Sequence, residues 1–252
     1  MKIDLNGKVV LVTGASRGIG EAIAQGMSEA GAKVAVHYYS NRGKAEKVIS
    51  SLNSDCFAFQ ANLGNANEVI NLFEQVVEHY GKIDCVVNNA GIAIESAPSD
   101  DNATWIAAWQ ETMNVNLLAS GILCKLSIAH FLENGGGRII NISSRAAFRG
   151  DTQDYLSYAA SKGGMVALTR SIARGYGKQN IKAFTIAPGF VRTDMAKEIM
   201  EVYGEEFALN DIALPSLTEP KDLAPTIVLL ASGMADHSTG CTIDINAGSY
   251  VH

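Results

Sequence analysis

A chain of 252 residues that is 47% apolar can bury a large core, and its length suits a single α/β domain. Its net charge of −6 argues against a nucleic-acid or anionic-membrane partner. No secretory signal opens the sequence, and no uninterrupted apolar run approaches the ~18 residues of a membrane span, so we expect a cytoplasmic protein without a membrane partner.

Short apolar runs alternate along the chain with longer stretches of helical periodicity. The predicted strands are Lys8–Val12, Lys33–His37, Cys56–Gln60, Ile83–Val87, Arg138–Ile142, Ile181–Ala187 and Cys241–Ile245. The predicted helices are Gly18–Ala30, Lys44–Leu52, Ala66–Tyr80, Trp105–Phe131, Ser157–Tyr176 and Asp222–Ala231. Several strands are apolar nearly throughout, which is typical of strands buried on both faces of a parallel sheet. The order predicts an α/β fold with a doubly wound parallel sheet and helices on both faces.

We find no shift in composition that would divide residues 1–252 into two domains. The segment Thr193–Leu217 follows the sixth predicted strand and resists assignment. Ligands of a doubly wound sheet bind outside the carboxyl ends of its strands, so we expect residues 193–217 to cover the substrate. The four cysteines and five histidines lack the spacing of metal ligands, which predicts reduced thiols and no metal site.

A glycine-rich turn, TGASRGIG, joins the first predicted strand to the first predicted helix. Glycine allows a tight turn at Gly14, close approach of a pyrophosphate at Gly18, and close packing of helix on sheet at Gly20. The N–H groups of the helix N-terminus attract phosphates. The turn therefore predicts a dinucleotide site formed by Gly14, Ser16, Arg17, Gly18, Ile19 and Gly20.

Further polar motifs fall where the same crevice is expected. The sequence NNAG, residues 88–91, follows the fourth predicted strand, and Ser144 ends the fifth. Tyr158 follows Ser144 by fourteen residues and shares one helix face with Lys162. Asn116 lies inside a predicted helix, where asparagine has poor propensity. This hints at a purpose, but a tolerated, exposed asparagine fits the spacing at least as well.

The ordered set TGASRGIG, NNAG, NVNL, ISS, YAASK and IAPGFVRTDM resembles the short-chain dehydrogenase/reductase family over nearly the whole chain. The resemblance implies one Rossmann-type domain with about seven parallel strands. It also implies an oxidoreductase that transfers a hydride between a nicotinamide cofactor and a carbonyl or secondary alcohol. The implied catalytic residues are Asn116, Ser144, Tyr158 and Lys162, with Ser143 as the alternative serine.

Each implied catalytic residue suits its chemistry. Tyr158 exchanges the proton of the substrate oxygen, and a cation at Lys162 is expected to lower the pKa of that phenol. Lys162 also bonds the nicotinamide ribose, Ser144 bonds the substrate oxygen, and Asn116 holds a water that links Lys162 to solvent. Tyr158 is also an implied cofactor contact. The others are Tyr39, Ser40, Asn41, Arg42, Asn62, Leu63, Asn89, Ala90, Gly91, Pro188, Gly189, Val191 and Thr193, the last two at the carboxamide.

The end of the second predicted strand bears on the choice of cofactor. Enzymes of this fold that use NAD carry an acid there, which bonds the ribose 2′-hydroxyl, whereas this chain has Tyr38. Arg17 and Arg42 could bind a 2′-phosphate. The sequence therefore predicts NADP(H), with NAD(H) as the alternative. Asn62 replaces the aspartate that relatives usually place beside adenine.

The substrate is expected to be a small carbonyl or alcohol compound. One alternative is a 3-oxoacyl-carrier-protein reductase, although the turn Glu133–Gly137 has little basic character to dock an acidic carrier. Another is a dinucleotide-sensing protein without catalysis, which the complete set of four catalytic residues disfavours. The resemblance further implies a homotetramer in which the helices Trp105–Phe131 and Ser157–Tyr176 pair through small residues, namely Ala159, Ala160, Gly163 and Gly164.

Overall fold

The computed structural model describes residues 3–53, 55–194, 196 and 204–251. Its centre is a parallel sheet of seven strands in the order β3-β2-β1-β4-β5-β6-β7. The strands are β1 (Val9–Val12), β2 (Lys33–Tyr38), β3 (Phe57–Gln60), β4 (Cys85–Asn88), β5 (Gly137–Ile142), β6 (Ile181–Pro188) and β7 (Thr242–Ile245). The strands β2 and β3 lie on one side of β1, and β4 to β7 lie on the other. The order in which strands are added therefore reverses between β1 and β4, which is the topological switch point. The predicted doubly wound α/β fold is confirmed.

Helices cover both faces of the sheet. They are α1 (Gly18–Glu29), α2 (Arg42–Ser51), α3 (Ala66–Tyr80), α4 (Asn102–Met113), α5 (Ala119–Glu133), α6 (Ala146–Arg149), α7 (Leu156–Tyr176), α8 (Glu205–Leu209) and α9 (Pro220–Ser232). The alternation of β1 shows how the core divides. Val10 and Val12 pack with α1 and α9 on one face, whereas Leu11 packs with α3 and α5 on the other.

The predicted single helix Trp105–Phe131 differs from the structure in one respect. A π-helical turn, Asn114–Leu118, separates α4 from α5. Such a turn widens the backbone by one residue and is frequent at functional sites. Here it contains Asn116, which is fully buried. The side chain of Asn116 thereby points into the protein, although the apolar periodicity of a regular helix does not mark residue 116 as buried.

The helical stretch Asn102–Glu133 is, within the part of the chain that the structure describes, long and apolar enough to span a membrane by length and composition. Its most apolar window has a mean hydropathy of 1.6, and 44% of that window is buried inside the fold. A core helix of a globular protein meets the same criterion, so this stretch is weak support for a membrane span.

The predicted covering segment 193–217 is seen in part. Residues 195 and 197–203 of this segment lie outside the described residues. The described remainder contains α8, and its Ala213 N–H donates to the carbonyl of Ala247 at 2.7 Å. A parallel bridge between Val191 and Thr218 closes its base. The segment is therefore tied both to the end of β6 and to the chain after β7.

Candidate active site

A cavity of about 650 Å³ opens at the carboxyl ends of β1, β2, β3 and β4. Many residues predicted to contact a cofactor line it, namely Gly14, Ser16, Arg17, Gly18, Ile19, Gly20, Tyr39, Asn62, Leu63, Asn89, Ala90, Gly91 and Thr193. Among the described residues predicted for the same role, Ser40, Asn41, Arg42, Tyr158, Lys162, Pro188, Gly189 and Val191 do not line it.

The glycine turn forms the floor of this cavity. Gly14 and Gly18 have φ values of 63° and 57°, in the left-handed region that favours glycine. A β-carbon at Gly20 would overlap the carbonyl oxygen of Gly14. Among the described residues, no side chain caps the start of α1. Its N–H groups are therefore available to phosphate oxygens, as the glycine pattern predicts.

Hydrogen bonds hold the NNAG segment against the glycine turn. The Asn89 side chain donates to the carbonyl of Thr13 at 2.8 Å. The backbone N–H groups of Asn89 and Ala90 both donate to Thr13 Oγ1, at 2.9 and 3.0 Å. This segment is therefore a brace between β1 and β4 as well as part of the cavity wall.

His37 is a cavity residue that the sequence analysis did not select. Its Nδ1 accepts the N–H of Gly14 at 3.0 Å, and its Nε2 lies 3.1 Å from the carbonyl of Ala61. Burial lowers the pKa of His37 to about 4, so the ring is neutral and its Nε2–H donates to Ala61. The ring thereby joins the glycine turn to the end of β3. A polar residue within an apolar strand was the available signal.

The end of β2 differs from the prediction. Tyr38 is 7% exposed and packs in the core, so it does not occupy the position where an acid would meet a ribose. Tyr39 lines the cavity and is 61% exposed. The two side chains lie on opposite sides because successive residues of a strand alternate. Tyr39, a predicted cofactor contact, is therefore the tyrosine of this pair that faces the cavity.

The cations around this end of the cavity also differ from the prediction. Arg42 does not face the cavity, because its guanidinium bonds Glu46 at 2.7 Å on the exposed side of α2. Lys44 and Lys47 of the same helix line the cavity instead. Arg17 lines it as predicted, and its Nη1 lies 3.2 Å from a carboxylate oxygen of Asp194.

The structure separates the two neighbouring serines. The Ser144 hydroxyl lies close enough to Tyr158 to affect the pKa of its phenol, and it accepts the N–H of Ala146 at 3.1 Å. Ser143 is buried, and its hydroxyl donates to the carbonyl of Lys162 at 2.8 Å. Ser143 is thus occupied in joining β5 to α7, and Ser144 is the serine that faces Tyr158.

Lys162 lies behind the phenol. Its Nζ is 5.7 Å from the centroid of the Tyr158 ring and donates to the carbonyl of Ile142 at 2.9 Å. Burial lowers the pKa of Lys162 to about 8. The pKa of Tyr158 is raised rather than lowered, because burial disfavours the phenolate more than the Ser144 hydrogen bond favours it. The predicted lowering of that pKa is therefore not seen.

Asn116 supports the wall between the cavity and Lys162. Its side-chain amide pairs with both backbone groups of Ile92, each at 2.8 Å, and donates to Ser161 Oγ at 3.0 Å. A β-carbon at Gly91 would lie 3.1 Å from Lys162 Nζ and 3.3 Å from Asn116 Oδ1. Three predicted residues, Gly91, Asn116 and Lys162, therefore converge at one point.

Comparison with known proteins agrees with this geometry. The sequence profile of the family described as short chain dehydrogenase matches residues 8–204. The 3-oxoacyl-[acyl-carrier-protein] reductase FabG of Staphylococcus aureus strain Mu50 is 35% identical over 247 residues, which is 97% of this chain and 98% of that protein. The corresponding FabG of Aquifex aeolicus is 31% identical over 253 residues, covering 99% and 100% of the two chains.

Solved structures give the same result. A blue fluorescent protein from a metagenomic library, in complex with NADPH, superposes with a TM-score of 0.89 at 31% identity and covers 98% of this chain and 100% of its own. A short chain dehydrogenase from Burkholderia cenocepacia J2315, in complex with NADP, gives 0.90 at 29% identity, with 97% and 98% covered. This chain therefore belongs to the short-chain dehydrogenase family, whose members are NAD(P)-dependent oxidoreductases.

Proposed function

We propose that this enzyme reduces a ketone to a secondary alcohol with NADPH, and that Tyr158 supplies the proton. The observation that carries this proposal is the placement of the Ser144 hydroxyl beside the phenol of Tyr158, with the ammonium of Lys162 5.7 Å from the phenol ring. A proton donor, a second hydroxyl and a cation are what a carbonyl oxygen needs when it gains negative charge.

The cavity residues fit a dinucleotide. The uncapped start of α1 suits a pyrophosphate, and Gly20 lets α1 begin in close contact with the backbone of Gly14, where a β-carbon would not fit. We assign Arg17, Lys44 and Lys47 to a 2′-phosphate, because all three are cations that line the same cavity as Tyr39. Arg17 and Lys44 also lie 3.2 and 3.6 Å from Asp194, which lines the cavity too. The NADPH and NADP in the two solved relatives support this choice, with NAD(H) as the alternative. When bound, the nicotinamide supplies or accepts the hydride.

We assign the proton steps to the residues of the chain. In the direction of reduction, Tyr158 gives its proton to the substrate oxygen, and Ser144 bonds the same oxygen while charge develops. Lys162, as an ammonium, stabilises the phenolate that Tyr158 leaves. Asn116 positions Lys162 indirectly. Its amide holds the backbone of Ile92, and the preceding residue, Gly91, packs against Lys162 Nζ. The water that the family resemblance assigns to Asn116 stays a prediction.

A 3-oxoacyl-carrier-protein reductase is the second candidate. The identities of 31–35% to FabG proteins over nearly the whole chain favour it. The docking of an acidic carrier would need basic residues around the mouth of the site. The turn of residues 133–137, which lacks them, precedes β5 and lies at the opposite edge of the sheet, so its composition does not disfavour this candidate. The two candidates share one chemistry and differ only in the size and attachment of the substrate.

We also propose that the enzyme assembles as a homotetramer through α4, α5 and α7. Ile106 of α4, Leu118 of the π-helical turn and Leu132 of α5 are about half exposed, which favours burial against a second copy. Gly164 serves a different contact from the one predicted. A β-carbon there would lie 2.6 Å from Leu117 of the same chain, so its small size permits packing within the subunit.

The four cysteines, all within the described part of the chain, are free thiols. This is consistent with a reducing compartment such as the cytoplasm.

The proposed function is tested by following NADPH absorbance with a panel of ketones, and NADP⁺ reduction with the matching alcohols. We expect turnover in both directions and tighter binding of NADPH than of NADH. A protein that binds NADPH but turns over no ketone or alcohol would instead support the dinucleotide-sensing alternative.

A further inference from the structure

A second group of charged side chains lies beside Ser144, outside the cofactor cavity. Arg145 follows Ser144 directly after β5, and it is 7% exposed. Its backbone N–H donates to the carbonyl of Pro188 at 2.9 Å, and its guanidinium carbon lies 4.6 Å from the centroid of the Phe190 ring. The buried cation is thereby fixed between the ends of β5 and β6, the two strands next to the proposed reaction centre.

The counter-charge of Arg145 comes from the covering segment. Arg145 Nη1 lies 2.5 Å from a carboxylate oxygen of Asp211, which follows α8. The same carboxylate is held by Arg149 Nη1, at 3.0 and 3.1 Å from its two oxygens. Two guanidinium groups therefore share one carboxylate. The side chain of Arg149 is 39% exposed to solvent, whereas that of Arg145 is 8% exposed.

This arrangement gives the buried guanidinium a counter-charge that it shares with Arg149. Arg145 Nη1 lies 2.5 Å from Asp211, in an ion pair that lacks the alignment of a hydrogen bond among the described residues. Two cations therefore face one carboxylate, which leaves the group with a net positive charge. Burial lowers the pKa of Arg145, and the neighbouring Arg149 lowers it further, while Asp211 opposes both effects. A guanidinium nevertheless stays charged in proteins. Its planar fork matches the two oxygens of a carboxylate.

We propose that Arg145 determines substrate specificity by binding a carboxylate of the substrate, and that Asp211 holds this position until the substrate arrives. The inference rests on the proposed ketone reduction at Ser144 and Tyr158. Asp211 can release Arg145 without being left unpaired, because Arg149 already bonds both of its oxygens. The substrate class is then an oxo acid, which gains a hydride at its ketone carbon and a proton at its oxygen to become a hydroxy acid. Its carboxylate is unchanged.

The position of Arg145 explains why this contact would act on specificity. Ser144 and Arg145 are consecutive in the chain, so we expect one small substrate to contact both, with its ketone oxygen on Ser144 and its carboxylate on Arg145. A neutral ketone can reach Ser144 and Tyr158 but leaves the buried guanidinium to Asp211. The difference between the two substrates is a charge-assisted contact, which corresponds to roughly a ten- to hundredfold difference in kcat/KM.

The test compares oxo acids with their methyl esters. NADPH-dependent kcat/KM is measured for 2-oxobutanoate, 3-oxobutanoate and 4-oxopentanoate and for the three esters, because the reach from Ser144 to the guanidinium selects the chain length. We expect at least one acid to exceed its ester by about tenfold or more. Arg145→Met should reduce this acid-to-ester ratio by about ten- to hundredfold while changing the ester rate far less. Arg145→Lys should retain part of the preference, because it keeps the charge.

Two matched variants separate recognition from a purely structural tie. Arg149→Met removes the other partner of Asp211 and should leave a preference for the acid. Asp211→Asn removes the competing anion and should raise kcat/KM for the acid but not for the ester. The proposal is overturned if no acid is preferred by the unmodified enzyme, or if Arg145→Met lowers acid and ester rates equally.

A binding measurement keeps this inference distinct from the proposed function. The shift of the unfolding midpoint by each acid is measured with NADP⁺ present, in the unmodified enzyme and in Arg145→Met. An Arg145-dependent shift without turnover would support the carboxylate site and contradict the reductase. Ketone turnover without any preference for a carboxylate would support the reductase and contradict the carboxylate site.

Discussion

Ser144 and Tyr158 approach each other from different elements, the first just after β5 and the second in the first turn of α7, and the Ser144 hydroxyl acts to lower the pKa of the phenol. The bond between Ser143 and the backbone of Lys162 fixes α7 against β5 and so sets this pairing. The buried Ser143 therefore positions the site, and its neighbour Ser144 faces the phenol of Tyr158.

Replacing Tyr158 by phenylalanine should remove turnover and retain the cofactor. The ring still packs, but the proton donor is lost, and we expect kcat to fall by about 10²- to 10⁴-fold. NADPH binding, followed by fluorescence titration, should change little, because Tyr158 does not line the cofactor cavity. Tyr176→Phe, at the far end of α7, is the control and should keep normal turnover. A Tyr158→Phe enzyme with more than about a tenth of the normal kcat would contradict the assignment.

Reduction should weaken as the pH rises through about 8. Lys162 is protonated below this value and loses its charge above it, so the phenolate of Tyr158 then loses its stabilising cation. The measurement is kcat for ketone reduction between pH 6 and 10. Lys178→Met, in the short turn after α7, should keep the same profile. A flat profile across this range would show that the charge of Lys162 does not matter for the reaction.

The same burial should appear in the stability of the protein. The folded-state pKa of Lys162, about 8, lies below the ordinary value of 10.5, so the unfolded state binds more protons between these two values. Stability from this group therefore rises with pH in that window, by up to about 3 kcal/mol. Burial raises the pKa of Cys85 and Cys124 to about 12, which acts in the opposite direction. The quantity to measure is thus the difference in urea unfolding free energy between the enzyme and Lys162→Met, which should change with pH across that window.

Gly20 should tolerate no side chain. A β-carbon there meets the carbonyl of Gly14 and the amide of Asn89, so Gly20→Ala must displace the turn that faces the phosphates. We expect loss of NADPH binding by calorimetry and a lower unfolding midpoint. Gly175→Ala in α7 is the matched control, because no described atom lies within 4 Å of its added carbon. It should stabilise the protein by about 0.5–1 kcal/mol. Normal NADPH affinity in Gly20→Ala would contradict the close approach.

The sequence predicts the strands well, because buried parallel strands are apolar runs and their ends fall within one or two residues of those observed. The glycine turn is predictable for a different reason, because the positive φ at Gly14 and Gly18 restricts the residue type. The π-helical turn at Asn114–Leu118 could not be predicted, because it depends on the bonds between Asn116 and Ile92 rather than on local propensity. The burial of Tyr38 could have been predicted, since Val34, Val36 and Tyr38 alternate onto one core face.

The rotation of α2 is the other feature that local sequence does not set. Arg42, Lys44 and Lys47 are all basic, and only packing decides that the last two line the cavity while the first bonds Glu46. Cofactor selectivity should follow this division. Replacing Lys44 and Lys47 by alanine should raise KM for NADPH and leave KM for NADH almost unchanged, because only NADPH carries the 2′-phosphate. We expect about a tenfold effect, since these contacts lie at a solvent-exposed rim.

Tyr39 allows the converse experiment. Tyr39→Asp places a carboxylate at the cavity wall, where it repels a 2′-phosphate and can bond a ribose 2′-hydroxyl, so kcat/KM should shift toward NADH. Tyr38→Asp is not equivalent, because it buries a charge in the core and should lower the unfolding midpoint instead. Arg42→Ala is the matched control for charge and should alter neither KM, since its guanidinium is held by Glu46 outside the cavity. If Arg42→Ala weakens NADPH as much as the paired lysine substitution does, the 2′-phosphate lies at the start of α2 rather than along its cavity face.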